Sequence, residues 1–388
     1  MALFPVFGKA AEGLRLERIR RSPNFKKDRF ENEVPTEVTL KGASIFKMLR
    51  EYRDRPASTM PEHRIPSVRT DLRALPDDKV SLVWFGHSSY LLNVRGTTIL
   101  VDPVFSANAS PVSFMAKAYA GTEVYTAADM PEIDILLLTH DHYDHLDYPT
   151  ILQLIPKTKL YCTSLGVGAH LESWGVPPGK IVELDWWEGW SVKADGIAAV
   201  AATDGAIGGA IAEGRLAGEV AEVAEGRLAG TAAVEGDVFT FTATPARHFS
   251  GRSFKRGGTL WSAFVLKTAG YSLFLGGDSG YEEHFKAIGD RFGPFDLAVL
   301  ECGQYGKNWP YIHMTPEQTA RAALDLRAAA LLPVHWGKFT LSLHPWNEPA
   351  RRIVKASAEQ GLPLAMPLIG QPVVVGGPYP EGGWWDFS

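Results

Sequence analysis

The chain has 388 residues, 45% hydrophobic and 21% charged, with a formal net charge of −5. That balance belongs to a soluble globular protein with room for one large domain, and the lack of a basic excess argues against nucleic acid as a partner and against RNA processing. Cys162 and Cys302 are the two cysteines, too few for a disulfide framework, which points to a reducing, cytoplasmic setting.

Residues 1–75 are rich in Arg, Lys and Pro and read as an N-terminal arm wrapping a catalytic domain at 76–388. The apolar start is interrupted by Lys9 before it reaches the length of a secretory leader, and no run approaches the roughly 20 apolar residues of a membrane span. Residues 14–21 (LRLERIRR) pattern as a short amphipathic helix. It is either a solvated basic segment or a foot on anionic headgroups, the latter adding peripheral contact at the inner membrane face.

Strands are expected at 80–85, 89–94 and 97–101, and the apolar run at 133–139 (IDILLLT) reads as a buried strand. Asp147-Tyr148-Pro149 offers an N-cap with proline in the first turn, so a helix should run to about Leu154, followed by a strand at 159–163. Residues 191–236 change texture. They are rich in Ala, Gly, Glu and Val, and Glu213-Gly214-Arg215-Leu216-Ala217-Gly218 recurs twelve residues later as Glu225-Gly226-Arg227-Leu228-Ala229-Gly230. Two copies are too few for a solenoid, so this is an insertion, a hairpin or flap. Beyond it, strands at 238–244, 259–267, 271–275, 297–300 and 331–334 alternate with helices at 281–291, 316–326 and 349–360, a layered α/β pattern.

The strongest chemical signal is Thr139-His140-Asp141-His142-Tyr143-Asp144-His145-Leu146-Asp147. A coincidental cluster on a surface loop is a poor account of it, since three of only eleven histidines share one short segment after a buried strand. Loops at strand C-termini are where α/β proteins place their sites. His248, Asp278 and His335 each follow a further strand, so separate strands deliver donors to one edge. Imidazole and carboxylate together suit zinc, with manganese or iron as alternatives. Seven donors exceed one tetrahedral ion and suit two.

These residues, with Trp84-Phe85-Gly86-His87, Asp102-Pro103-Val104-Phe105-Ser106, Glu183-Leu184-Asp185-Trp186-Trp187-Glu188, Gly276-Gly277-Asp278-Ser279-Gly280-Tyr281, Arg291-Phe292-Gly293-Pro294-Phe295-Asp296-Leu297 and His335-Trp336-Gly337, resemble the metallo-β-lactamase superfamily. Within it they are most similar to the phosphodiesterase branch that contains N-acylphosphatidylethanolamine-hydrolysing phospholipase D. The resemblance implies a four-layer αββα sandwich and a homodimer. It implies one zinc on His140, His142 and His248, a second on Asp144, His145 and His335, and Asp278 bridging, with a shared hydroxide attacking the substrate. It also places His313 at the substrate, where it would bind phosphate or protonate a leaving group. His87 is expected in a structural or supporting role, because it is taken to lie on the opposite side of the fold. Asp141 and Asp147 are expected to support the metal loop and cap the following helix, and Trp186, Trp187, Trp384 and Trp385 to pack in the core.

The chain departs from the lipid enzyme at Glu301-Cys302-Gly303-Gln304-Tyr305, a strand end expected to face the substrate, so Glu301 and Tyr305 are candidate substrate residues, joined by His344 in Ser342-Leu343-His344-Pro345-Trp346. The function expected is metal-dependent hydrolysis of a phosphodiester, small or phospholipid, with hydrolysis of a lactone or other carboxylic ester as the second reading. A non-catalytic metal-binding interaction protein is the reading from another class.

Overall fold

In the computed structural model, described here for residues 4–40, 44–112, 114–197, 215–216, 218–222, 238–252, 256–268 and 270–386, two mixed sheets pack face to face between helices. The arm opens with α1 (Gly13–Arg21), a short antiparallel pair β1 (Phe25–Lys26) and β2 (Arg29–Phe30), and α2 (Ile45–Arg53). The first sheet takes β3 (Val80–Trp84), β4 (Tyr90–Val94), β5 (Thr97–Val101), β6 (Ile133–Leu138), β7 (Thr158–Ser164) and β8 (Ile181–Leu184). Between its last strands lie α3 (Tyr148–Leu154) and α4 (Gly168–Ser173).

The second sheet takes β9 (Glu188–Lys193), β10 (Arg215–Leu216), β11 (Gly218–Glu222), β12 (Val238–Thr244), β13 (Ala263–Thr268), β14 (Tyr271–Leu275), β15 (Leu297–Glu301) and β16 (Leu331–Val334). Helices α5 (His284–Phe292), α6 (Pro316–Asp325) and α7 (Glu348–Gln360) cover its outer face, and β17 (Pro372–Val374) returns to the first sheet beside β3.

The apolar runs explain this layering. Alternate residues of β3 to β8, such as Leu82, Leu92, Ile135, Leu137 and Cys162, meet Trp190, Phe241, Phe264 and Leu275 of the second sheet in one inter-sheet core. The opposite faces of the same strands, such as Leu91, Leu100, Leu136 and Tyr161, pack on Ile151 and Leu154 of α3 and Leu171 of α4. A strand buried on both faces needs a continuous apolar run, which β6 supplies. The four-layer αββα sandwich expected from sequence is present.

Several boundaries move for local reasons. β13 begins at Ala263 rather than at 259, because the preceding segment leaves the sheet: Leu260 N donates to Leu165 O, Ser262 N to Thr139 O, and Thr259 Oγ1 to Asp141. α5 begins at His284 rather than at 281, after Gly280 N has bonded Arg247 O. Within the insertion, residues 191–193 belong to β9, and β10 and β11 form an antiparallel pair whose second strand continues the sheet beside β9. The second copy of the tandem repeat lies outside the described residues. Among the described residues no helix is long and apolar enough to cross a membrane.

The arm's helix α1 lies against the domain. Ile19 is buried, Arg15 pairs with Glu172 and Glu183, and Arg18 pairs with Glu188 and donates to Glu183 O. Two of the cations that sequence offered to headgroups are thereby engaged within the chain.

Candidate metal centre

Strand directions bring the polar residues to one edge. β3 is antiparallel to β4, β4 to β5, and β5 runs parallel to β6, so β3 and β6 end on the same side. In the second sheet β12 and β14 are both antiparallel to β13, and β14, β15 and β16 are parallel. The loops after β6, β12, β14 and β16 carry His140 to His145, His248, Asp278 and His335, and the structure brings all seven predicted donors together. The loop after β3 joins them. His87 therefore sits at this edge and not on the opposite side, correcting the sequence reading, and its backbone is tied to the last loop by His87 N to Trp336 O and His335 N to His87 O, both 2.9 Å. His87 (φ 54°) and His335 (φ 66°) both hold left-handed backbone conformations, strain of the kind found where surrounding structure fixes a functional residue.

Two clusters form. In one, donor atoms of His140, His142, His248 and Asp278 lie within 4.8 Å of one another; in the other, those of His87, Asp144, His145 and His335 do. Asp278 sits between them. Its Oδ2 is 3.2 Å from His145 Nε2, 3.7 Å from His248 Nε2 and 3.8 Å from His140 Nε2, and its Oδ1 is 3.1 Å from His335 Nδ1.

The second nitrogen of each key ring is held from outside. Thr139 Oγ1 lies 3.0 Å from His140 Nδ1, Asp102 Oδ2 lies 2.7 Å from His145 Nδ1, and Ile312 O accepts from His248 Nδ1 at 2.9 Å. These contacts fix ring orientation and leave Nε2 facing inward, the usual support for a metal-binding imidazole. Burial, with help from neighbouring rings, holds His140, His248 and His335 well below the ordinary histidine range, and burial takes His142 to about 4. They are neutral lone-pair donors at neutral pH. Burial also pulls on His145, but Asp278, Asp144 and Asp102 outweigh it and raise this ring.

This donor set fits divalent cations. His140 Nε2 and His248 Nε2 both point at His142 Nδ1, at 2.9 and 3.2 Å, where a neutral His142 has at most one proton for two lone pairs. His145 Nε2 and Asp278 Oδ1 are buried with no aligned hydrogen-bond partner, despite the close approaches above. Such convergence is costly unless a positive charge shares it.

Several supports were invisible in sequence. Asp102 accepts from Thr139 N and Thr139 Oγ1 as well as His145; the signal was an Asp-Pro after a strand, which was matched to a family stretch without a role. Arg252 is buried and donates from Nη1 to Asp141 O and Leu146 O, clamping the metal loop, and from Nη2 to Val6 O of the arm. Asp141 accepts from Gly251 N and Thr259 Oγ1 and faces His170. Asp147 stands at the start of α3, but its carboxylate binds Ser106 N, Ser106 Oγ and Thr150 Oγ1 and not the helix backbone.

A cavity of about 250 Å³ opens onto His142, Asp144, His248, Asp278, His313 and His335. The arm supplies part of its wall through Val38, Thr39 and Met48, and Phe249, Arg256, Trp309 and Leu341 complete much of the rest. Three residues expected at the substrate do not line it. Glu301 is buried at the end of β15, where its carboxylate meets His313 Nδ1, Met314 N and Ser279 N. Tyr305 donates to Glu348 and stacks on His344, whose Nε2 accepts Gln304 N. Gln304, in the same loop, lines the cavity instead, its side-chain amide held by Phe339 O and Leu341 N. Trp186 and Trp385 are buried, with Trp187 and Trp384 packed beside the core.

A family model described as a β-lactamase superfamily domain matches residues 97–227 and 212–336. An uncharacterized protein of Mycobacterium tuberculosis is 34% identical over 370 residues, covering 94% of this chain and 88% of the relative. The chain belongs to the metallo-β-lactamase superfamily. The mitochondrial N-acyl-phosphatidylethanolamine-hydrolyzing phospholipase D of Saccharomyces cerevisiae is 29% identical over 282 residues, 70% of this chain and 50% of that protein. Among solved structures, a metallo hydrolase from the archaeon Ignicoccus hospitalis matches with a TM-score of 0.50 at 20% identity, covering 76% of this chain and 98% of that one, a likeness of fold.

Proposed function

We propose that this superfamily member is a two-metal hydrolase of phosphodiesters, glycerophospholipids among them, with zinc as its metal. The observation that carries the reading is the meeting of two buried imidazole and carboxylate clusters around one shared carboxylate, Asp278. Similarity to the yeast phospholipase D supports the phosphodiester. Two divalent cations at such clusters supply a nucleophilic water at neutral pH and neutralise charge on the phosphoryl oxygens.

The chain's own residues do the rest. Asp102, Thr139 and the Ile312 carbonyl orient imidazoles inward. Arg256, at the cavity wall, offers a cation to an anionic substrate, while Phe249, Trp309, Met48 and Leu341 exclude water and receive its apolar part. His313 borders both the cavity and the metal clusters, within reach of a bound phosphodiester.

Peripheral contact with lipid belongs to the same proposal, through a surface different from α1. Phe46 of α2 and Phe114 are 80% and 74% exposed. α2 also carries Met48 of the cavity wall, and the loop holding Phe114 packs through Ala116 on the cluster beside Leu341.

Metal analysis joined to turnover of bis-p-nitrophenyl phosphate and of a lactone tests the reading. Two bound equivalents and phosphodiester turnover are expected. Lactone turnover alone removes the phosphodiester, and tight metal binding without turnover of either removes the enzyme.

A further inference from the structure

Glu301 is a carboxylate at this edge that does not line the cavity, and its partners explain why it is there. It is fully buried. Its Oε1 accepts Met314 N at 2.8 Å and Ser279 N at 3.3 Å, and its Oε2 lies 3.1 Å from His313 Nδ1. Donor atoms of Glu301, His313, Asp278 and His335 fall within 4.8 Å of one another, so a further metal-binding group is geometrically conceivable. One Glu301 oxygen, however, already accepts two backbone N–H groups and the other is turned toward His313 Nδ1, and the His313 ring stacks on His335 at 5.1 Å with its planes 18° apart. Glu301 is therefore placed to hold His313.

We propose that Glu301 is a positioning residue that keeps His313 in the tautomer with its proton on Nδ1, making Nε2 a hydrogen-bond acceptor on the cavity wall. An imidazole whose Nδ1–H is fixed by a carboxylate has only the Nε2 lone pair to present elsewhere. His313 is 12% exposed and lines the cavity, so that edge is available to a ligand. An acceptor there discriminates. It favours a phosphodiester bearing a hydroxyl beside the scissile group, as a glycerol headgroup does, and offers nothing to a phosphoryl oxygen. A site built to accept from a substrate O–H rejects the analogue lacking it far more strongly than an apolar wall does. This preference rests on the hydrolase reading; the tautomer does not.

The test has two arms. Nitrogen-15 spectra of histidine-labelled, metal-free protein report where the His313 proton sits, with His313→Asn identifying the signal. Wild type should show it on Nδ1. Glu301→Gln keeps an acceptor for Met314 N and Ser279 N but turns an amide N–H toward His313 Nδ1, and should move the proton to Nε2. Burial pushes the Glu301 carboxyl upward, so a protonated Glu301 donating to Nδ1 is the competing arrangement. A wild-type proton on Nε2, or one tautomer shared by wild type and Glu301→Gln, overturns the proposal, and the wild-type spectrum needs no variant to fold.

In the second arm, kcat/KM is compared for a glycerol-bearing phosphodiester and for bis-p-nitrophenyl phosphate. Glu301→Gln should lower the first about tenfold, the loss of one hydrogen bond, and leave the second within about threefold. Equal losses on both overturn the acceptor role. Absence of turnover in wild type defeats the hydrolase reading while the spectra still decide the tautomer.

Discussion

Asp102 does not line the cavity, yet its replacement should be felt at the metal centre, most of all at the cluster of His145. The carboxylate accepts three hydrogen bonds, from His145 Nδ1 at 2.7 Å, Thr139 N at 2.9 Å and Thr139 Oγ1 at 2.6 Å. In Asp102→Asn the amide oxygen still receives Thr139 N, but the amide NH2 replaces the oxygen facing His145. It donates to Nδ1 and drives the ring's proton to Nε2, the atom beside Asp278 and Asp144. Losing one charge-assisted hydrogen bond costs ~1.5–3 kcal/mol, and losing such a support for a ligating histidine typically weakens metal binding ~10–100-fold, which is the same energy. His248 keeps Ile312 O, but Thr139 Oγ1 donates to the same Asp102 oxygen and would meet the amide N–H instead, so the cluster of His140, His142 and His248 should weaken too, by less than the cluster of His145. Competition titration against a chromophoric chelator resolves the two constants. Equal weakening of both sites, or no weakening of either in a folded variant, refutes the argument that Asp102 acts through the tautomer of His145.

Arg252→Met should lower stability by about 3–5 kcal/mol in urea unfolding, because the carbonyls of Asp141, Leu146 and Val6 lose a buried donor together; Arg252→Lys should rescue it poorly, since an ammonium cannot span those carbonyls as the guanidinium fork does. Lys338 is buried, donates to Phe85 O and Val104 O, and is pushed by burial down to about 8. Its folded pKa lies below the unfolded value near 10.5, so between pH 8 and 10.5 the unfolded chain binds the extra proton and stability rises with pH, by about 3 kcal/mol in all. Lys338→Met should flatten that rise, and an unchanged slope in denaturant midpoints between pH 8 and 10.5 would contradict the assignment. Phe46→Ser with Phe114→Ser should abolish co-sedimentation with anionic vesicles while removal of residues 10–21 should not; the reverse pattern would return the lipid contact to the arm.

The layers and the metal edge were legible because their signals are local. An apolar run such as IDILLL, short for a helix and bounded by polar residues, reads as a strand buried on both faces, and a His-x-His-x-Asp-His segment directly after it concentrates donors in one short loop. His87 was misplaced because its side of the fold depends on strand direction, and direction is set by pairing. Two antiparallel steps and one parallel step separate β3 from β6, and nothing near Trp84 announces them. Glu301, Tyr305 and His344 were misread for a related reason. A strand end near the metals predicts proximity but not which way a side chain turns, and Glu301 turns back toward Met314 and Ser279. The arm gave the weakest signal, because its contribution to the cavity, Val38, Thr39 and Met48, acquires meaning only when distant loops come to meet it.

The supports of the histidines show a shared logic. His140 is held from its own strand end by Thr139, His145 from the loop after β5 by Asp102, His248 from the chain before α6 by Ile312, and His313 from the end of β15 by Glu301. Four rings are thus held through the nitrogen that a ligand does not need. Burial then separates them by charge. His140, His248 and His335 are neutral, so a cation meets lone pairs with no proton to displace. His145 is the exception, held upward by Asp278, Asp144 and Asp102. A positive charge is already favoured at its position, and a divalent cation bound there would occupy the place that a proton on His145 Nε2 otherwise holds among those carboxylates. The same carboxylates that make the metal-free cluster tolerable are those that would draw the metal in.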